Sequence, residues 1–276
     1  MLSTERARRI PADASYSALF HLEADPDYGR ICYTQSEKDD GKGYRMRLFV
    51  VNLGRADYQE TLLIQEMLFR KRQHEEIEDL MLLLEHPPTL TLGLRGRESN
   101  ITASREQLKT WGVGIFKVYR GGDVTYHGPG QIVGYPILNL SHHGKDVRKF
   151  IWKIEETFIR LLNEEYGLHA RRIDNHTGVW LGNEKIAAIG CSIRRWVTMH
   201  GFAFNVNTNL EHFKWIHPCG IPDKGVTSLQ KEIGRPLDMD VLFAQVATYF
   251  AGQFGLEPKF IHPSILDAWA KSEENA

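Results

Sequence analysis

The sequence predicts a mixed α/β (α+β) protein with a single main sheet. Three observations support this prediction. Short apolar runs typical of buried strands recur along the chain, three segments place apolar residues at helical spacing, and the strands and helices are interspersed. With 276 residues, 42% of them hydrophobic, the chain can bury a sizeable core.

Strands are predicted where apolar and branched residues run together between turn residues, at 47–53, 80–84, 115–119, 132–138, 178–181, 185–193 and 201–206. Helices are predicted after Asp57 and after Asp238, because an aspartate can accept hydrogen bonds from the first free amides of a helix. A further helix is predicted over 148–166, where Gly167 can end it.

The domain organisation follows from a change in composition. Residues 1–44 are polar and weakly patterned, and they end in a run of charged residues and glycines, so they are predicted to be a flexible leader. Residues 45–256 are predicted to form one folded domain, and 257–276 a C-terminal tail.

Charge and cysteine content narrow the class of protein. The net charge of −1 argues against broad electrostatic binding to nucleic acid or to an anionic membrane. Three cysteines without paired spacing do not form a disulfide framework, and the sequence has no apolar run of membrane-spanning length and no signal peptide. We therefore expect a cytoplasmic protein, and a monomer because no exposed heptad pattern is present.

The densest motif is the glycine-rich segment 120–131, RGGDVTYHGPGQ. It matches neither a phosphate-binding P-loop nor a dinucleotide fingerprint. A long hairpin loop is one interpretation. The other, which four glycines and a proline in twelve residues favour, is a loop that lets a ligand lie against the backbone.

Cys219 lies between Pro218 and Gly220, and three roles are open to it: nucleophile, metal ligand or packing residue. Metal binding is least favoured, because no nearby pair of cysteines or histidines has ligand spacing. A nucleophile needs a base or a cation, since an unperturbed thiol with a pKa of about 8.5 is only about 3% ionised at pH 7. His217 is one candidate base. Lys185 is another, because a desolvated amine at the start of an apolar strand could accept the thiol proton.

Several motifs in this order resemble the lipoyl(octanoyl) transferase family. They are the glycine-rich segment, 185–190 (KIAAIG), 200–206 (HGFAFNV) and 218–220 (PCG), extended by 85–88 (EHPP) and 226–229 (VTSL). The resemblance covers roughly residues 46–255. It implies one catalytic domain with the fold of the biotin protein ligase and lipoate ligase catalytic domains (class II synthetase-like).

The resemblance also implies a two-step acyl transfer without a cofactor or a metal. The donor would be octanoyl-acyl carrier protein, and the acceptors would be lipoyl domains of 2-oxoacid dehydrogenases and the glycine-cleavage H protein. By this resemblance Cys219 is the nucleophile and Lys185 lowers its pKa. The residues matching the octanoyl site are Arg120, Gly121, Gly122, Asp123, Val124, Thr125, Tyr126, His127, Ala188, Ile189, Gly190, Gly201, Phe202 and Ala203.

Tyr126 and the stretch 187–189 are expected to form the apolar wall that selects acyl length. Cys191 stands where the family usually has an apolar residue, and we expect it to be a core residue rather than a second thiol in the pocket. A local basic dock for an acidic carrier protein is expected at one of three pairs, 148–149, 171–172 or 194–195.

Three other functions remain open at this point. An ATP-dependent lipoate or biotin ligase would share the fold, although 93–97 (GLRGR) only faintly matches an adenylate loop. A non-catalytic adaptor would have no need of Cys219 and Lys185. A cysteine hydrolase could use His217 or His127 as its base.

Overall fold

The computed structural model describes residues 46–217 and 224–274. The predicted leader, 1–44, and the predicted nucleophile, Cys219, lie outside the described residues.

One mixed sheet dominates the fold. Its strands, in chain order, are β1 (Arg47–Arg55), β2 (Leu80–Glu85), β6 (Gln131–Ile137), β7 (Arg171–Ile173), β8 (His176–Leu181), β9 (Glu184–Arg194), β10 (Val197–Asn205), β11 (Gly225–Val226) and β12 (Glu257–Phe260). They pair in the order β12-β1-β2-β6-β10-β9-β8-β7, and β11 pairs with β9. The predicted mixed α/β class and every predicted strand of this sheet are confirmed.

A second sheet of three strands lies beside the first. It consists of β3 (Thr89–Leu92), β4 (Gly114–Lys117) and β5 (Val124–His127), paired in the order β4-β3-β5. Of these three strands the sequence predicts only β4, and β5 lies within the predicted glycine-rich connection. β5 (VTYH) has only four residues, and β3 (TLTL) has four residues directly after two prolines, so neither run is long enough to predict a strand.

Six helices are present among the described residues: α1 (Tyr58–Gln73), α2 (Arg105–Thr110), α3 (Val147–Tyr166), α4 (Leu229–Ile233), α5 (Met239–Phe254) and α6 (Ile265–Glu274). The predicted caps are confirmed. Asp57 accepts hydrogen bonds from the amides of Gln59 and Glu60, at 2.7 and 3.1 Å. Gly167 and Gly255 end α3 and α5 in the left-handed conformation that glycine adopts without a steric penalty.

Side-chain alternation along the central strands produces two cores. Leu48 and Val50 of β1 point to the face covered by α3 and α5, whereas Phe49 and Val51 point to the face covered by α1 and α6. The sheet is therefore buried on both faces, which explains why its strands appear in the sequence as continuous apolar runs.

The predicted C-terminal tail contains parts of the main fold. Residues 257–260 form β12, which runs parallel to β1, and 265–274 form α6. Ile261, Ile265 and Leu266 are buried in the core on the α1 face. The main sheet therefore extends beyond residue 256, where the predicted domain ended.

No helix in 46–217 or 224–274 combines the length and the apolar character needed to cross a bilayer.

Leu266→Ala tests whether the segment after residue 256 belongs to the core. We expect the free energy of unfolding to fall by about 2–5 kcal/mol, because the substitution leaves a cavity under α6. The exposed neighbour Asp267→Ala should change it by no more than about 0.5 kcal/mol. Urea unfolding measures both, and equal effects would contradict the assignment.

Candidate active site

A cavity is lined by residues of both sheets, of α1 and of β11. Twelve of the fourteen residues predicted to bind the acyl group line it, and so does Lys185. The twelve are Arg120, Gly122, Asp123, Val124, Thr125, His127, Ala188, Ile189, Gly190, Gly201, Phe202 and Ala203. The structure thus brings together segments that lie up to about eighty residues apart in the sequence.

Gly121 and Tyr126 are not among the lining residues. Val124, Thr125 and His127 of β5 line the cavity, whereas Tyr126 packs into the core cluster of the small sheet. Its ring packs against Phe213 and Trp215, and its hydroxyl lies 2.7 Å from Nδ1 of His212. Tyr126, expected to wall the acyl site, is therefore not part of the wall of this cavity.

Close backbone contacts join the glycine-rich segment to β9, and glycine also lets β10 approach β6 closely. The amide of Gly121 donates to the carbonyl of Cys191 at 3.0 Å. A Cβ atom added to Gly190 would lie 2.8 Å from the carbonyl oxygen of Gly121, and one added to Gly201 would lie 2.1 Å from that of Gly134. Gly190 and Gly201 are directly opposite in the β9–β10 ladder, and both line the cavity. At this point the cavity wall is therefore backbone without side chains.

Gly190→Ala should lower kcat/KM by about a hundredfold, because the new methyl group displaces the Gly121 backbone that borders the cavity. Gly252→Ala is the matched control. Nothing lies within 4 Å of its added Cβ, so this substitution in α5 should retain activity and stabilise the fold by about 0.5–1 kcal/mol. Steady-state kinetics and urea unfolding measure both effects. A Gly190→Ala variant with unchanged kcat/KM would show that activity does not depend on this backbone contact.

Arg120 braces this junction. Its side chain is buried, and the guanidinium donates to the carbonyl and hydroxyl oxygens of Thr91, at 2.7 and 2.8 Å, and to the carbonyl of Gly121 at 2.9 Å. The arginine therefore holds β3 and the glycine-rich segment together while contributing to the cavity wall.

A chain of hydrogen bonds continues from Arg120 through the cavity wall. The Thr91 hydroxyl, which accepts from Arg120, lies 3.5 Å from Nε2 of His127, and Nδ1 of His127 lies 2.9 Å from Oε1 of Gln131. Gln131 donates in turn to Asn205 at 2.9 Å. Because the amide oxygen of Gln131 can only accept, His127 carries its proton on Nδ1.

Burial keeps three histidines of this region uncharged at neutral pH. Burial, with smaller contributions from a protonated His86 and from Arg120, lowers the pKa of His127 to about 3. Burial also lowers the pKa values of His86 and His200 to about 4. His86 donates from Nδ1 to the carbonyl of Ala56 at 2.7 Å, which leaves Nε2 to accept from the Tyr135 hydroxyl at 2.8 Å. The wall is thus polar but carries no histidine charge.

These depressed pKa values make stability depend on pH. An unfolded histidine titrates near pH 6.5, so below that pH the unfolded chain binds more protons than the folded one. The free energy of unfolding should therefore fall as pH decreases from about 6.5 to about 4. His127→Asn should reduce the slope by up to about 1.4 kcal/mol per pH unit, measured by urea unfolding across this range. An unchanged slope would contradict a neutral buried His127.

His200 adopts a left-handed backbone conformation (φ 57°) in the middle of β10. Pro136, opposite in β6, has no amide hydrogen to donate, and its carbonyl accepts from the Thr198 hydroxyl at 2.6 Å. The His200 amide instead donates to Oε1 of the buried Gln65, at 3.1 Å. β10 is therefore irregular at His200, and this residue lines the cavity.

Lys185 is the second residue of β9, which begins within one residue of the predicted strand start, and its side chain lies against Trp180. Nζ is 4.8 Å from the centroid of the buried indole ring. Lys224, the first described residue after 217, places its Nζ 5.2 Å from the same centroid. Two amines therefore share one aromatic surface in the cavity wall.

Cys191 packs beside the core between the sheet and the helices, and its Sγ lies 3.6 Å from the carbonyl oxygen of Gly201. Burial raises the pKa of its thiol to about 12. It is not among the cavity-lining residues. The thiol is therefore neutral at physiological pH, which agrees with the expected core role.

Sequence reasoning missed several lining residues, among them Tyr58, Gln131, Tyr135, Trp180, Asn205 and Lys224. Tyr58, Tyr135 and Trp180 occur singly in apolar strands or at a helix start, where an aromatic residue carries no motif, whereas Gln131 and Asn205 lie in the motif segments 120–131 and 200–206 but were not selected. His200 was available in the HGFAFNV stretch, but only the residues after it were selected.

The three expected docking pairs lie away from the cavity wall. Arg172 is engaged within the molecule, since it bridges Glu155 and Glu156 at 2.9 and 2.8 Å and stacks on Trp152. The pairs at 148–149 and 194–195 are exposed. In the part of the chain that the structure describes, no three acidic, histidine or cysteine residues are grouped to hold a metal ion.

Comparisons with known proteins agree on one group of enzymes. Residues 57–251 match the family model of the lipoyl protein ligase A/B catalytic domain. The octanoyltransferase of Desulforamulus reducens is 62% identical over 222 residues, which cover 80% of this chain and 97% of the relative. That of Caldicellulosiruptor saccharolyticus is 53% identical over 223 residues, covering 80% and 95%.

Solved structures share the fold at low identity. A lipoate-protein ligase A bound with ATP superposes with a TM-score of 0.63 at 13% identity, covering 84% of this chain and 94% of that one. A bipartite lipoate protein ligase from Thermoplasma acidophilum, studied with its E2 lipoyl domain, gives the same score and identity, covering 83% and 92%. The lipoate ligase fold expected from the sequence motifs is confirmed.

Proposed function

Since the chain belongs to the octanoyltransferases of the lipoyl protein ligase A/B catalytic-domain family, and is therefore an acyltransferase, we propose how it transfers its acyl group. The octanoyl group passes from octanoyl-acyl carrier protein to Cys219 as a thioester. From there it passes to a specific lysine of a lipoyl domain, in a 2-oxoacid dehydrogenase or the glycine-cleavage H protein. This transfer is the first step of protein lipoylation.

One observation carries the proposal: the Lys185 amine lies beside a cavity lined by glycine backbone and by apolar side chains of β9 and β10. Bare backbone and side chains such as Ile189 and Ala203 suit an alkyl chain. A lysine at that position supplies a proton acceptor for a thiol. The uncharged histidines add polar walls without requiring an ion to be desolvated next to the acyl chain.

Residues that flank Cys219 in the sequence support placing the nucleophile at this cavity. Phe213, before it, and Lys224, after it, both line the wall. β11 then runs along β9 with Val226 opposite Lys185, and the amide of Thr227 donates to the Lys185 carbonyl at 3.0 Å. Cys219 therefore lies, in the sequence, between two cavity-lining residues that are eleven positions apart.

The chemistry proceeds in two balanced steps. Neutral Lys185 takes the proton of the Cys219 thiol, the thiolate attacks the donor thioester, and the carrier's thiolate leaves with a proton from the Lys185 ammonium. In the second step the acceptor amine attacks the acyl-enzyme, Lys185 receives its proton, and Cys219 departs as the leaving thiolate. Exchange of one thioester for another costs little free energy, and the amide product is more stable, so the reaction needs no ATP.

Acyl length should be selected by the apolar wall at about 0.8 kcal/mol per buried methylene. A backbone amide of 185–190 or of the glycine-rich segment would stabilise the tetrahedral oxyanion. We expect the enzyme to work as a cytoplasmic monomer.

Intact-protein mass spectrometry after mixing with octanoyl-acyl carrier protein, without ATP, tests the proposal. Wild type should gain one octanoyl group, and Cys219→Ala should gain none. Lys185→Ala should acylate at least about a hundredfold more slowly, because general-base assistance of this kind is worth about 10²–10⁴. Cys191→Ala is the matched control and should acylate normally, since that thiol is buried and protonated.

A wild-type enzyme that binds the donor but forms no adduct would contradict the thioester mechanism. An adduct that persists in Cys219→Ala would move the nucleophile elsewhere. Transfer that requires ATP would favour a ligase.

A further inference from the structure

We propose that Lys224 is a second ammonium group of the reaction centre, which favours the neutral, proton-accepting form of Lys185. The proposal rests on the role of Lys185 proposed above and adds a tuning residue to it. Lys224 itself needs neither to react nor to touch the acyl group.

The geometry places both amines on one rigid surface. Lys185 Nζ lies 4.8 Å and Lys224 Nζ 5.2 Å from the centroid of the Trp180 indole, so the two nitrogens are at most about 10 Å apart. The indole is buried, and its Nε1 donates to the carbonyl of His176 at 3.1 Å, which fixes the ring. Both lysines line the cavity and neither is fully exposed.

Backbone pairing holds the two lysines together. β11 joins the start of β9 in parallel, with Gly225 opposite Glu184 and Val226 opposite Lys185. The amide of Gly225 also donates to the carbonyl of Asn183 at 3.2 Å. Lys224 therefore enters the cavity wall directly from a strand that is bonded to the Lys185 strand.

Several charged side chains near the pair, among the residues that the structure describes, have polar partners of their own. Glu155 accepts from the Gly178 amide beside Lys185 and is bridged by Arg172 at 2.9 Å. Both carboxylate oxygens of Glu184, the acid next to Lys185, accept from Lys231 on α4 at 2.8 Å. Asp123 accepts from Asn100, and Arg120 donates to Thr91 and Gly121. The nearby histidines are His200, which is uncharged, and His176, whose ring lies 6.2 Å from Trp180.

Two like charges in a partly desolvated wall repel each other, and the repulsion ends when one of them loses its proton. At a separation of about 10 Å and an effective dielectric constant of about 20, the effect amounts to about one pH unit. A lysine beside another cation is an established way to obtain a neutral amine near neutral pH. Stacking on the indole holds the Lys224 ammonium in place, since an aromatic face attracts an ammonium.

The first test is the pH dependence of Cys219 acylation by a small octanoyl thioester, which avoids any effect on carrier docking. The rate should rise with pH as the Cys219–Lys185 pair loses its proton. In Lys224→Met the acidic limb of the pH–rate profile, where the rate rises with pH, should move up by about one pH unit. At a given pH on this limb the rate should be about tenfold lower than in the wild type. Lys224→Arg should retain the wild-type limb, because arginine keeps the charge.

Lys231→Met is the matched control, since it removes a lysine bonded to the neighbouring Glu184 but outside the cavity wall. Its limb should stay within a few tenths of a pH unit of the wild type. A Lys224→Met limb that coincides with the wild type would overturn the proposal. A limb that moves equally in Lys224→Arg would also overturn it, because the shift would then not depend on charge.

The second test measures Lys185 directly. In a Cys219→Ala background, which removes the thiol, NMR titration of isotope-labelled lysine amines should give a Lys185 pKa about one unit lower when Lys224 is present than after Lys224→Met. An unchanged Lys185 pKa would overturn the proposal. If wild type forms no acyl adduct, the proposed mechanism fails, whereas an adduct with an unshifted limb refutes the role of Lys224 alone.

Discussion

The site depends on a close approach of backbones that only glycine permits. The segment after Arg120 docks on β9 through the Gly121 amide and the Cys191 carbonyl, and any side chain at Gly190 would push the two apart. This contact joins the small sheet to the main sheet. Without it the wall between His127 on one sheet and Ala188 on the other would not exist, so the shape of the cavity follows from the absence of a few Cβ atoms.

Buried polar groups stabilise this arrangement without adding histidine charge to the cavity wall. Arg120 and Gln131 have their donors and acceptors satisfied through Thr91, His127 and Asn205, and burial keeps His127 neutral. Such a network tolerates few substitutions, because each member would leave a buried partner unsatisfied. The charged groups that could exchange protons are instead concentrated at Trp180, where two lysines meet.

Sequence reasoning identified the larger elements because their signals are local. Helices α1, α3 and α5 combine capping residues with apolar spacing, and the central strands form apolar runs because helices cover both faces of the sheet. The same reasoning failed where the signal is short or not local. β5 occupies four residues of the glycine-rich segment, β12 is held by its pairing with β1, and Tyr126 packs against Phe213 and Trp215, which are distant in the sequence.

By itself the sequence determined the fold class, the family and most of the residues that line the cavity, since glycine-rich and lysine-containing motifs preserve their order along the chain. The tertiary structure alone decided which side chains meet. Gln65 reaches the His200 amide across 135 positions, and Lys224 and Lys185 share an indole through a two-residue strand. Such contacts leave no periodic trace, because they depend on how elements pack and not on the spacing of residues along any one of them.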